Sequence, residues 1–220
     1  IDSWVVKRAG PQLMPYVIDN LVDGLMPSIL PNPMVDWLSK TGYGLYGSLL
    51  VDHSSVEGLY EDYDVPHKSS DHVSVDPGLP LGAWRSVGHS FSGFFKESMI
   101  DEVAAQLNQD AVAFRLKHLN NKPKLANVLR VAADKAGWHK PLPAGHYHGV
   151  AVHESFSSFV AQIAEVSVDN NQLIVHRVTC VIDCGLAVNP GIVEAQMESG
   201  IIYGLSAALS GEITLKNGQV

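Results

Sequence analysis

Apolar residues at Phe95, Met99, Ile100, Val103 and Leu107 follow helical spacing, which predicts a helix running from Phe95. Glu97, Asp101 and Glu102 fall early in that helix, where its dipole favours acids. Asp110 can cap a second helix over 111–119 (AVAFRLKHL), and a third over 125–137 carries Leu125, Val128, Leu129 and Ala132 on one face and stops at Gly137. The pattern then turns to β. One run spans 150–168, the residues DNNQ make a turn, and a second run spans 173–185. A last helix follows, with Asn189 as its cap, Pro190 as its first residue, and Val193, Met197, Ile201 and Leu205 as one stripe. Gly200 and Gly204 on that helix would let another backbone approach closely.

The chain before residue 95 is less patterned. Trp4, Val5 and Val6 suggest a strand; 24–44 is rich in Pro, Gly and Asn and reads as irregular. Strand-like runs follow over 56–66 and 71–82, and the end of the chain reads as strand EITL followed by turn KNG. No repeat or low-complexity tract occurs. The class is α+β, with mixed sheets and packed helices.

Composition narrows the function. A net charge of −8 argues against a nucleic-acid surface, and no apolar run of membrane-spanning length occurs. At 46% hydrophobic residues the chain can fill a core. The start, IDSWVVKRAG, has neither Met nor the layout of a signal peptide, so the chain is expected to be a piece of a longer polypeptide whose compartment is not legible. Cys180 and Cys184 sit on one strand-like run, roughly 13 Å apart at about 3.3 Å per residue, too far to pair. They are expected to be buried free thiols.

Several stretches are candidates for chemistry. The loop 82–95 holds Trp84 and Arg85 side by side among Gly82, Gly88 and Gly93, directly before a helix. Glycines permit close approach, an Arg fork binds phosphate or oxo groups, and helix N-termini favour anions. An ordinary loop with a packed Trp and a paired Arg is the plain alternative. The loop has neither G-x-G-x-x-G nor a Walker lysine, which makes a nucleotide site a weak reading. In 183–200 a strand ends at Asp183 and a capped helix carries Gln196 two turns in, where its amide can reach a ligand or face solvent. Asp183 and Glu198 are acid–base candidates, although a strand-end Asp more often caps the next turn. His146, His148 and His153 cluster in sequence without a standard metal-ligand set, and Ser155 lacks a nucleophile elbow.

Three of these stretches, 79–104, 149–166 and 176–213, together resemble one family. The pattern D-C-G-x-x-V-N-P-x-x-V-x-x-Q-x-E joined to W-R-S-V-G is similar to the molybdopterin-binding large subunit of the xanthine dehydrogenase/aldehyde oxidase family. The branch it resembles most is that of the isoquinoline 1-oxidoreductase beta subunit and its aldehyde dehydrogenase relatives. The similarity runs through nearly the whole chain and is weakest before residue 56. It implies that 81–220 is an α+β part of a molybdopterin-binding domain and that 1–80 is an irregular, strand-rich segment of the same region.

The resemblance implies that Trp84, Arg85, Ser86 and Val87 embrace the molybdenum centre and that Gln196 hydrogen-bonds the cofactor. That cofactor would be molybdopterin, with its cytosine dinucleotide form an open alternative. The implied reaction oxidises an aldehyde or N-heterocycle with water as the oxygen source, and an iron–sulfur small subunit takes the electrons. No catalytic residue is assigned. The family's glutamate base is expected beyond Val220, because Gly211–Glu212 lies too near the preceding helix. The chain alone is therefore expected to show no turnover and to retain no molybdenum. Two departures bear on this: Glu198-Ser199-Gly200 stands where many relatives have Glu-Gly-Gly, and Val87 replaces a bulky aromatic of the xanthine branch. A non-catalytic assembly module of a multi-subunit oxidoreductase is the alternative.

Overall fold

The computed structural model describes residues 1–11, 33, 34, 37, 41, 55–59, 61–75, 82 and 84–220. The chain forms two compact units, one of 1–110 with 117–122 and one of 111–116 with 123–220. Of the stretch 24–44, only Pro33, Met34, Trp37 and Thr41 are described, and they are helical. The part of the 71–82 run over 76–81 lies outside the described residues.

In the first unit, strand β1 (Ser3–Gly10) pairs in parallel with β2 (His67–Ser74), from Ser3 opposite His67 to Gly10 opposite Ser74. The expected strand at Trp4–Val6 lies inside β1, and Trp4 is buried. The run 56–66 is not a strand. Gly58 takes a φ of 79° and its N–H donates to the Glu61 carboxylate at 2.8 Å, closing a local turn that competes with an extended chain. Its apolar residues Val56, Leu59, Tyr63 and Val65 are nonetheless buried.

Helix α1 (His89–Gln106) begins six residues before the expected Phe95, so Glu97, Asp101 and Glu102 lie in its middle and no acid occupies its first turn. Only part of its apolar stripe faces inward: Ile100 does, as expected, and Phe95, Met99 and Leu107 do not. Phe94 and Phe95 are 68% and 53% exposed and Met99 is exposed too, whereas Ser92, Lys96, Glu97, Ile100 and Ala104 are buried. Lys96 and Glu97 can turn inward because they are partnered: Lys96 pairs with Asp62, and the Tyr63 hydroxyl donates to Glu97 at 2.9 Å.

The second unit holds all of helix α2 (Ala111–Lys117) but its last residue, helix α3 (Pro123–Ala136), and an antiparallel sheet of β3 (His146–Ser155), β4 (Ser158–Asp169) and β5 (Gln172–Asp183) in that order. Leu125, Val128, Leu129 and Ala132 are buried as one face of α3, which packs on the sheet. α3 stops at Gly137, which has a φ of 72°, and the Trp138 N–H returns to the Ala133 carbonyl at 3.0 Å. The 150–168 run is two strands, β3 (His146–Ser155) and β4 (Ser158–Asp169), rather than one. Phe156 and Ser157 join them with left-handed φ values of 48° and 60°, as a two-residue hairpin turn requires. β5 (Gln172–Asp183) follows the predicted turn, where Asn170 and Asn171 are also left-handed.

Helix α4 (Pro190–Leu209) is capped as expected: the Asn189 side chain accepts from the Ile192 N–H at 3.3 Å, with Pro190 at the start. Val193, Met197, Ile201 and Leu205 are half-buried; every other residue of the helix is exposed, Ile192 at 60%. After α4, the expected EITL strand does not form, since no described strand pairs with it, but the turn at Asn217–Gly218 closes between Lys216 and Gln219. Helices and mixed parallel and antiparallel sheets make the fold α+β.

Candidate functional site

The loop of the first unit is two overlapping turns sharing Ser86 and Val87. The Val87 N–H donates to the Trp84 carbonyl at 3.1 Å, and the His89 N–H donates to the Ser86 carbonyl at 3.0 Å. The glycines expected to supply positive φ do not: Gly88 sits at −63°, helical, and Gly93 lies within α1. The left-handed positions are instead Ser86 (68°) and Val87 (49°). A β-branched residue is rarely found there, because its side chain crowds the following carbonyl. Trp84, Arg85, Ser86 and Val87 are all exposed, so one tight loop carries an aromatic ring, a guanidinium and an aliphatic group at the surface. Sequence reasoning missed Ser90. Its hydroxyl donates to the Arg85 carbonyl at 2.9 Å and lies 2.6 Å from the Ser86 hydroxyl.

In the second unit, β5 ends at Asp183, whose carboxylate accepts from the Gly185 N–H at 2.9 Å; Gly185 has a φ of 74°. Asp183 thus caps the turn, the plainer of its two expected roles. Gln196 stands exposed on α4. A cavity of about 490 Å³ lies between α3, β5 and the start of α4, lined by Val128, Cys180, Ile182, Cys184, Val193 and Met197 among others. Cys180 and Cys184 are free, as expected, but half-buried rather than buried, since this open cavity lies beside them. Burial pushes the Cys180 thiol above its ordinary value. Its sulfur lies 4.0 Å from that of Met197.

His146 and His176 meet beside Glu165; among the described residues no group of three or more His, Cys, Asp or Glu side chains could hold an ion. His146 Nδ1 lies 2.8 Å from Glu165 and its ring stacks on His176 at 4.0 Å, while His148 stacks on Trp138. Arg177 reaches both Glu165, at 3.3 Å, and the Ala136 carbonyl at the end of α3, at 3.2 Å. The hydrogen bond from His146, then the charge of Arg177, hold the Glu165 carboxyl below its ordinary 4.5. A lowered carboxylate stabilises the fold above its unfolded value and loses that contribution as pH falls through the folded one. Glu165→Gln is therefore expected to flatten the acid limb of the unit's stability profile and leave its shape above about pH 5 unchanged, read by thermal melts across pH.

Among known protein families, residues 95–220 match the model of the molybdopterin cofactor-binding domain. The beta subunit of isoquinoline 1-oxidoreductase from Brevundimonas diminuta is 37% identical over 161 residues, covering 71% of this chain and 21% of that protein. A nicotinate dehydrogenase subunit from Pseudomonas putida is 28% identical over 180 residues, covering 72% of this chain and 15% of that protein. Among solved structures, the aldehyde oxidoreductase of Desulfovibrio gigas aligns with a TM-score of 0.36 and 18% identity over 79% of this chain and 18% of that one. The chain thus spans about a fifth or less of these relatives. With more than half of its residues inside the family model, this chain belongs to the molybdopterin cofactor-binding domain family.

Proposed function

We propose that the chain is part of the large subunit of a molybdenum hydroxylase, which binds molybdopterin and oxidises an aldehyde or N-heterocycle with water as oxygen source. Trp84, Arg85, Ser86, Val87 and Gln196 contact the cofactor, and residues 1–80 belong to the same binding region. An iron–sulfur subunit receives the electrons.

The observation that carries the reading is the exposed double turn at Trp84–Val87, which keeps two non-glycine residues left-handed. Such strain persists where the surroundings over-determine it, and it concentrates at ligand clamps. The donor set fits the cofactor: a guanidinium and a carboxamide suit the phosphate of a pterin and the oxo groups of its metal. Bound there, the molybdenum centre would supply the redox chemistry. The residues of this chain would orient it and, through Trp84, shape the approach of substrate. Helix α4 supports membership of a larger body, because a helix apolar on nearly all sides is normally buried, and here it has no buried residue.

The test substitutes Arg85→Ala and Gln196→Ala in the intact subunit with its partner. A hydrogen bond to a charged group contributes about 1.5–3 kcal/mol, so each change is expected to weaken cofactor retention roughly 10- to 100-fold, measured as molybdenum and pterin per purified subunit. Subunit assembly should be unchanged. Loss of assembly with cofactor content intact would instead favour a non-catalytic assembly module, the second reading that the uncovered α4 allows.

A further inference from the structure

The Trp84–Val87 turn has a defined handedness of its central peptide. A turn with positive φ at its third residue but not at its second is of type II, and it differs from the commoner type I by a flip of the peptide between those two residues. Here those residues are Arg85 and Ser86, with Ser86 at 68°. Type II normally requires Gly or Asn at that place, so a serine there needs something to hold the flipped peptide.

Ser90, on the first turn of α1, is placed to do so. Its hydroxyl donates to the Arg85 carbonyl, which belongs to the flipped peptide, at 2.9 Å. It also lies 2.6 Å from the Ser86 hydroxyl, which itself reaches the Arg85 carbonyl. A hydroxyl has one proton and accepts through two lone pairs. If Ser90 donates to the Arg85 carbonyl, Ser86 donates to Ser90; if Ser86 donates to that carbonyl, Ser90 donates to Ser86. In both arrangements the Ser90 hydroxyl is bound to the turn. In a trans peptide the carbonyl and the next N–H point in opposite directions. A carbonyl of Arg85 drawn toward α1 therefore turns the Ser86 N–H away from α1.

We propose that Ser90 is a positioning residue: it latches the Arg85–Ser86 peptide in its flipped state, so that the Ser86 N–H faces an anionic group of the cofactor. This rests on the reading of the loop as a cofactor clamp. It adds a residue that the W-R-S-V-G pattern does not include.

The experiment compares Ser90→Ala, Ser90→Thr and Arg85→Ala in the intact subunit with its partner, reading molybdenum and pterin per subunit, melting temperature and subunit association. Ser90→Ala is expected to lower cofactor content about ten-fold, the loss of one hydrogen bond's worth of preorganisation, with melting temperature and association unchanged. Ser90→Thr, which keeps the hydroxyl, should restore content to within about two-fold of the parent. Wild-type content in Ser90→Ala with loss in Arg85→Ala overturns the latch and leaves the clamp standing. Equal loss in the Ala and Thr variants, or a lowered melting temperature in Ser90→Ala, assigns Ser90 a purely structural role and also overturns it. Retention in all three removes the clamp on which the latch rests.

Discussion

Asp62→Ala is expected to destabilise the first unit by about 3–5 kcal/mol, the cost of leaving a buried charge without its partner. Asp62 and Lys96 are 2% and 1% exposed, and they form an ion pair inside the unit. Lys96 enters from α1, Asp62 from the segment before β2. The ammonium cannot reach water when the carboxylate is removed, because its own helix turns it inward. Replacing both partners, with Asp62→Leu and Lys96→Met, should cost far less than the single change, since an apolar pair of similar volume needs no compensating charge. Urea denaturation followed by fluorescence distinguishes the cases, with the buried Trp4 as reporter in this unit. A loss below about 1 kcal/mol for Asp62→Ala would mean that the pair behaves like an exposed one, and the inward face of α1 would then lose its explanation.

That face also shows what the chain pattern can and cannot reveal. Helical spacing from Phe95 to Leu107 correctly announces a helix, yet the spacing cannot tell which side is covered. The usual rule, apolar side in, holds at Ile100 but not at Phe95 and Met99, because Lys96 and Glu97 turn inward to partners in Asp62 and Tyr63, more than thirty residues earlier in the chain. Where local chemistry suffices, the reading holds. α3 ends at Gly137 because a left-handed residue is needed there, and α4 begins at Asn189–Pro190 because the cap and fixed φ are both local. The hairpin at Phe156–Ser157 was invisible for the opposite reason: neither residue advertises positive φ, so the surrounding strands impose it. Asn170–Asn171 advertises it openly.

The candidate site divides in the same way. Trp84, Arg85 and Gln196 are singled out by their residue types and surroundings, and the resemblance gives them roles. The conformation that distinguishes the Trp84–Arg85 loop lies at Ser86 and Val87, while the flanking Gly88 and Gly93 are helical. Ser90 carries no signal of its own, because a serine in the first turn of a helix is ordinary; only the position of the Arg85 carbonyl gives it meaning.

Leu129→Ala is expected to destabilise the second unit by about 2–5 kcal/mol, whereas Ile202→Ala, a comparable loss of side chain on α4, should fall within about 0.5 kcal/mol of the parent. Leu129 is fully buried on the face of α3 that packs on the sheet, where Ala161 and Ile163 of β4 are also buried. Removing it leaves a cavity as well as lost transfer energy. Ile202 is 65% exposed, so its truncation exposes little that water does not already reach. Thermal or urea unfolding of both variants, at a concentration where sedimentation shows a single species, provides the comparison. Near-equal costs would mean that α4 is covered in solution. Unequal costs locate the core between α3 and the sheet, and they imply that the exposed apolar side of α4, at Ile202, does not stabilise this chain. Exposed hydrophobic side chains that add nothing to the unit carrying them are those a surrounding protein body can still bury, and Gln196 stands on the same helix.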